Sequence, residues 1–250
     1  MKKHKVKVSL SESQPFQAGK ANRRQFIKLG GASLAIGGML LAGCEEDDEM
    51  MPNPPDDGDD EVFDLGSGDV GILNYAYALE QLEADFYTRV FNNFYAGITA
   101  EEQQVLTALY YHEVIHREFF KTAITAAVSD SAQVLPELEF DYGDLDFSSR
   151  DAVLATAKAL EDTGVAAYNG AGRLLTNPDY LLIAGKIVSV EARHAAAIRS
   201  LINPDSTDFA GDDVVDPTNG LDVAMPPADI LPIAGQFITT EFTANNLPTS

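Results

Sequence analysis

Apolar side chains recur at steps of three and four over four stretches of the chain, the spacing that lines them up on one face of an α-helix. In the first stretch Ile72, Tyr75, Ala76, Leu79, Leu82, Phe86 and Val90 keep that step with no intervening Pro, which predicts a helix over residues 68–95. Thr99 followed three residues later by Glu102 has the spacing of a capping box, in which each side chain satisfies the other residue's backbone N–H. It opens a second helix, to about Val128, with Val105, Leu109, Ile115, Phe119 and Ile124 as its apolar face. Ser148 or Ser149 caps a third, which runs to about Leu175. Asn177 before Pro178 marks the start of a fourth, ending before Pro204; Pro is tolerated at a first helical position because its N–H would have no partner there.

Residues 129–148 break the pattern. Pro136, Gly143 and several acids are mixed with scattered Leu and Phe, which reads as a long connection laying a few apolar side chains over the outside. Two short loops and one long crossover among four helices predict an all-α bundle over residues 67–203 whose middle pair runs parallel. Residues 204–250 are rich in Asp, Pro and Gly, and read as an irregular, extended tail packed on the bundle with one short helix near Pro226 to Ala234.

The N-terminus has a different character. Lys2, Lys3, Lys5 and Lys7 begin a basic stretch that continues to Asn22-Arg23-Arg24-Gln25-Phe26-Ile27-Lys28, followed by a Gly/Ala/Leu-rich run and Leu41-Ala42-Gly43-Cys44. A basic region, a moderate apolar segment and a small-residue cleavage site describe an export signal over residues 1–43, to be left out of fold reasoning. The paired arginines resemble the twin-arginine signal, and Leu-Ala-Gly-Cys resembles a lipobox, which implies lipidation of Cys44 and a place in the cell envelope, on the periplasmic face or the outer-membrane surface. Cys44 is the single Cys, so no intramolecular disulfide forms. Residues 44–66 carry Glu45-Glu46-Asp47-Asp48-Glu49 and the acids from Asp56 to Glu61 among Pro and Gly, the composition of a disordered, self-repelling tether. Without residues 1–43 the chain keeps 9 Lys and Arg against 38 Asp and Glu, a net charge of −29. Such acidity argues against nucleic acid and anionic lipid surfaces as partners and attracts cations to the surface.

Three histidines lie beyond the signal: His112, His116 and His194. Two stand three residues after a glutamate, in Glu113-Val-Ile-His116 and Glu191-Ala-Arg-His194. On a helix, i and i+3 share a face about 4.5 Å apart along the axis, so carboxylate and imidazole can reach one metal ion. The other two helices match each other: Ala78-Leu79-Glu80 precedes Tyr87 as Ala159-Leu160-Glu161 precedes Tyr168. The offset is 81 residues between these motifs and 78 between the Glu-x-x-His pairs, so the chain reads as a doubled helical hairpin. Glu80 and Glu161 fall on apolar helix faces, where a carboxylate is costly unless paired or bound to metal. Tyr87 and Tyr168 lie two turns along, as candidates to hydrogen-bond those carboxylates or carry a radical, or as core tyrosines with satisfied hydroxyls. Glu83 also faces inward, but its counterpart in the repeat is Gly164, so it is an auxiliary candidate. Asp85 and Asp162 read as surface acids.

One Glu from each of two helices plus Glu-x-x-His from each of the other two is the ligand set of di-iron and di-manganese bundles. With Leu73-Asn74-Tyr75-Ala76-Tyr77-Ala78-Leu79-Glu80, this chain resembles the secreted ferritin-like domain family that includes desiccation-related proteins, over roughly residues 65–240. The resemblance implies a ferritin-like four-helix bundle holding two Fe or Mn ions. It makes Glu80 and Glu161 terminal carboxylates and Glu113 and Glu191 bridges, with His116 and His194 binding one ion each. Activity toward dioxygen, peroxide or ferrous iron is the expectation, against a non-catalytic envelope protein of stress or desiccation that uses the fold structurally. His112-Glu113-Val-Ile-His116 also spells the zinc-metalloprotease signature, with Glu137 or Glu139 as the third ligand it would need. The repeat opposes that reading, because the equivalent of His112 is Val190.

Overall fold

The computed structural model describes residues 62–249, so the expected signal, Cys44 and most of the expected tether lie outside the described residues. Four long helices form the body: α1 (Gly68–Asn92), α2 (Ala100–Ala127), α3 (Arg150–Gly172) and α4 (Pro178–Ile202). A shorter α5 (Pro227–Ala234) follows, and the strands β1 (Phe63–Asp64) and β2 (Phe242–Thr243) pair in parallel, Phe63 with Phe242 and Asp64 with Thr243. Among the described residues no helix is long and apolar enough to cross a membrane.

The start signals work as their chemistry dictates. Glu102 N–H donates to Thr99 Oγ1 (3.1 Å) while Thr99 N–H donates to Glu102 Oε2 (2.8 Å), closing the capping box of α2. Ser149 accepts from Ala152 N–H at α3, and Asn177 from Asp179 N–H at α4 with Pro178 in the first turn. Cross-bundle bonds set the directions: Tyr87 on α1 reaches Glu161 on α3, and Tyr168 on α3 reaches Glu80 on α1. α1 and α3 are therefore antiparallel. Since the short loop also makes α1 and α2 antiparallel, the middle pair α2 and α3 runs parallel.

That topology requires a connection running the length of the bundle, and α1 carries it. Two buried amides on α1 bind its backbone. Asn74 donates to the Gln133 carbonyl and accepts from Leu135 N–H; Gln81 donates to the Pro136 carbonyl and accepts from Leu138 N–H. Leu135, Leu138 and Tyr142 of the crossover are buried against the bundle. With a bundle on one side and the crossover on the other, every residue from Gly71 to Ala84 is buried. This is why α1 is apolar nearly all round rather than on one stripe.

Two expectations need correction. Ile115 and Phe119 were placed on the inner face of α2, but they are 61 % and 39 % exposed. The inner face is Leu106, Leu109, Glu113, Phe120 and Ile124; its centre is polar, so an apolar count rotates the face outward. Residues 62–66 were assigned to the acidic spacer, yet β1 pairs with β2 and Leu65 is fully buried.

The tail is held at defined points. α5 buries Ile230 and Ala234, and the segments around Phe140 and Ile238 pair as an antiparallel bridge. Met225 N–H donates to the Ala166 carbonyl, and a Cβ on Gly170 would lie 1.8 Å from the Met225 carbonyl oxygen, so only Gly fits where the tail crosses α3. Arg199, 3 % exposed, donates to Asp162, to Asp213 and to the Asp208 carbonyl, joining α3, α4 and the tail. Asp162 is thus the partner of a buried guanidinium, not a free surface acid; Asp85 does pair at the surface, with Arg89.

Hydrogen bonding from Arg199 holds the Asp213 carboxyl at about 2, below its ordinary 3.8. A folded-state pKa below the unfolded one gives stability that is complete above about pH 4 and lost as pH falls toward 2. Asp213→Asn is expected to narrow the gap in melting temperature between pH 6 and pH 3. Calorimetry at both pH values checks it; an unchanged gap would show that this contact does not couple to acid unfolding.

Candidate metal centre

The middle of each long helix contributes to one buried cluster. Glu80 comes from α1, Glu113 and His116 from α2, Glu161 from α3, Glu191 and His194 from α4. All four glutamates have zero exposure, and His194 has 3 %. The i, i+3 spacing on α2 and α4 puts each Glu and His on the same inward stripe, as the helical period requires.

Both histidines turn Nδ1 toward carboxylates. His116 Nδ1 lies 2.8 Å from Glu191 Oε1 and 3.4 Å from both Glu80 Oε2 and Glu113 Oε2. His194 Nδ1 lies 2.8 Å from Glu113 Oε1, 3.1 Å from Glu191 Oε2 and 3.5 Å from Glu161 Oε2. Two groups could each hold a metal ion: Glu80, Glu113, His116 and Glu191, and Glu113, Glu161, Glu191 and His194. In each, the ligand-type atoms lie within 4.8 Å of one another. Glu113 and Glu191 belong to both.

The donor chemistry fits a cation. Glu80 Oε2, both oxygens of Glu113, Glu161 Oε2, Glu191 Oε1 and His116 Nδ1 are buried without a hydrogen-bond partner, although they crowd together. Buried polar atoms in native proteins are almost always satisfied. So many inward-facing acceptors in one place is the arrangement of ligands around positive charge.

The tyrosines act across the repeat. Tyr87 O–H donates to Glu161 Oε1 at 2.6 Å, and Tyr168 O–H donates to Glu80 Oε1. Each half of the chain thus positions the single glutamate of the other half and leaves its second oxygen to the cluster. Burial first, and then the carboxylates they face, raise both phenols well above the ordinary 10, so they stay donors.

Electrostatics divides the carboxyls. Burial raises Glu80 well above the usual carboxylate range, against the pull of His116. Burial also raises Glu161, to about 8, with His194 opposing. Glu113 goes the other way: burial would raise it, but the imidazoles of His116 and His194 that face it bring it to about 2. Burial would lower the two imidazoles, yet their carboxylate partners raise both above the ordinary range. In the protein alone the imidazoles supply the positive charge that the carboxylates require.

Glu83 breaks the two-fold pattern. It is 3 % exposed, its Oε2 has no partner, and a Cβ added to Gly164 would lie 3.0 Å from its Oε1. Glu83 occupies the space that Gly164 leaves open, outside both ligand groups. Burial, and then the surrounding carboxylates, push its pKa well above the ordinary range.

The zinc-protease arrangement is not assembled. His112 joins neither ligand group; its Nδ1 lies 2.9 Å from His194 Nε2, with the two rings stacked at 5.1 Å. Glu137 and Glu139 are exposed on the crossover, along α1. His112 instead steadies the ring whose other nitrogen faces the carboxylates. Sequence reasoning missed that role: His112 lies one turn before His116 on α2, but its partner His194 is on α4, and no local spacing signals that contact.

Residues 68–204, more than half of the chain, match the family model described as "Ferritin-like domain". No curated protein matches the chain.

Proposed function

The chain belongs to the ferritin-like domain family, and on that premise we propose that its buried cluster holds two iron or manganese ions and is redox-active toward dioxygen, peroxide or ferrous iron. The observation that carries this reading is the sharing of Glu113 and Glu191 between two ligand groups that otherwise differ. Two adjacent ions joined by two carboxylates account for that sharing; a single ion would leave either the Glu80–His116 or the Glu161–His194 pair without purpose. Four carboxylates balance two divalent cations with both imidazoles neutral, which removes the need for buried imidazolium. Oxygen-rich ligation with one imidazole per ion suits iron or manganese over softer metals.

Bound there, the ions would supply or accept the electrons for reaction with dioxygen, peroxide or ferrous iron. The chain's own residues set the conditions. Glu80 and Glu161 serve as terminal ligands, each oriented by a tyrosine from the opposite half. His116 and His194 offer Nδ1, and His112 holds the far nitrogen of His194, the kind of outer contact that fixes ring orientation and basicity at metal sites. The zero exposure of all four glutamates excludes bulk water.

The proposal also places the protein in the cell envelope, exported through the twin-arginine route and tethered to the membrane by lipidated Cys44. That route carries folded proteins, so the ions could be inserted before export. Cys44→Ser is expected to move the protein from the membrane fraction to the soluble one; retention in the membrane fraction would contradict the tether.

Elemental analysis tests the centre. Purified protein is expected to carry about two iron or manganese ions per chain, and Glu113→Ala and Glu191→Ala should each lose both, because each touches both positions. Loss of a single ion in either variant would contradict the shared-ligand arrangement. Ferrous oxidation or peroxide consumption by the loaded protein, absent in both variants, separates a redox centre from an envelope protein that binds metal for stability alone.

A further inference from the structure

The two halves of the repeat can be compared end for end, because α1 corresponds to α3 at an offset of 81 and α2 to α4 at 78. At the Tyr87 end of the bundle Val90, Leu106 and Leu201 are buried core residues, and Phe91 stacks on Tyr110. The corresponding positions at the Tyr168 end are Ala171, Ala184, Ala123 and Gly172. Four side chains that fill one end are cut back at the other. Several exchanges run the opposite way, among them Tyr75 for Thr156, Phe120 for Ile198, Phe119 for Ala197 and Ile183 for Val105, and the cavity remains despite them.

What is left is a cavity of about 60 Å³, lined by all four of the cut-back residues and by the ring of Tyr168. Its walls are almost wholly apolar, so it offers water few of the partners that a buried water needs. Phe119, 39 % exposed, stands at its outer edge. At its inner edge Tyr168 passes from the cavity wall to the Glu80 carboxylate, so the cavity adjoins the Glu80–His116 half of the cluster and not the other. A void in a core costs stability, and the other half of the repeat shows residues that would close it.

We propose that this cavity binds a small, uncharged apolar molecule of dioxygen's size and supplies it to the Glu80–His116 side of the cluster. The binding site rests on the cavity; its role as a dioxygen site rests on the redox reading above. The volume admits a molecule of a few heavy atoms, and the almost wholly apolar lining disfavours peroxide or a hydrated ion. Small apolar reactant and charged reactant would therefore reach the centre by different routes.

Xenon is the probe, since dry apolar cavities take it up. Crystals of the protein pressurised with xenon are expected to show a peak bordered by Tyr168, Ala171 and Ala184. Ala184→Leu and Ala171→Val, each copying the other half of the repeat, should each lose that peak while keeping their metal content. In the loaded protein both should raise KM for dioxygen with kcat retained. Absence of xenon from the wild-type cavity, or an unchanged dioxygen dependence in variants that exclude xenon, overturns the proposal. Metal content separates the two failures: metal without xenon overturns the cavity site alone, and xenon without metal overturns the dioxygen role through its premise.

Discussion

A carboxylate loses several kcal/mol of hydration when it leaves water ionised, and a bundle that buries four carboxyls can keep them ionised only through opposite charge and directed hydrogen bonds. Glu80, Glu113, Glu161 and Glu191 have no solvent exposure at all. The surrounding structure follows from that demand. Two tyrosines each give one hydroxyl to a glutamate of the opposite half. Two imidazoles turn Nδ1 inward, and several carboxylate oxygens still remain without a donor. Such a centre is unfavourable as a purely polar core and reasonable as a ligand shell, which is the physical reason to read it as a metal site.

The two-fold repeat explains the centre, while departures from it explain the rest of the molecule. One hairpin carries the crossover along α1, anchored by Asn74 and Gln81, and so becomes buried on every side. The other hairpin receives the tail, pinned through Arg199 and closely packed at Gly170. Glu83 faces Gly164 instead of a second carboxyl. His112 backs His194, whereas Val190 stands at the matching position beside the other half. The centre is therefore symmetric in its ligand types and asymmetric in what surrounds them: a fifth buried carboxyl, an imidazole contact and an apolar cavity each occur on one side.

Much of the fold was legible because its signals are local. The capping box at Thr99 and Glu102, Pro178 after Asn177 and the short helix near Pro226 to Ala234 all depend on residues within one or two turns. The six ligand-type residues were legible because a helical period and a repeat offset together constrain them. What escaped was set by distant partners. Ile115 and Phe119 keep apolar spacing on α2, but the centre of its true inner face is Glu113 and His116, so apolar periodicity alone pointed outward. Asp162 looks like any helix-surface acid until the tail and α4 bring Arg199 to it. Asn74 and Gln81 gave no hint of a role, since the backbone they bind lies more than fifty residues away. His112 was set aside with the protease signature, although its contact with His194 crosses from α2 to α4.

Glu113 and Glu191 belong to both groups that could hold a metal ion. The most direct test of that sharing is anomalous diffraction from crystals of the protein loaded with iron or with manganese, recorded on both sides of the absorption edge. Two peaks per chain are expected, one beside His116 Nδ1 and one beside His194 Nδ1, where Glu113 and Glu191 would be shared. A single peak, a peak held by His112, or no peak with either metal would contradict it.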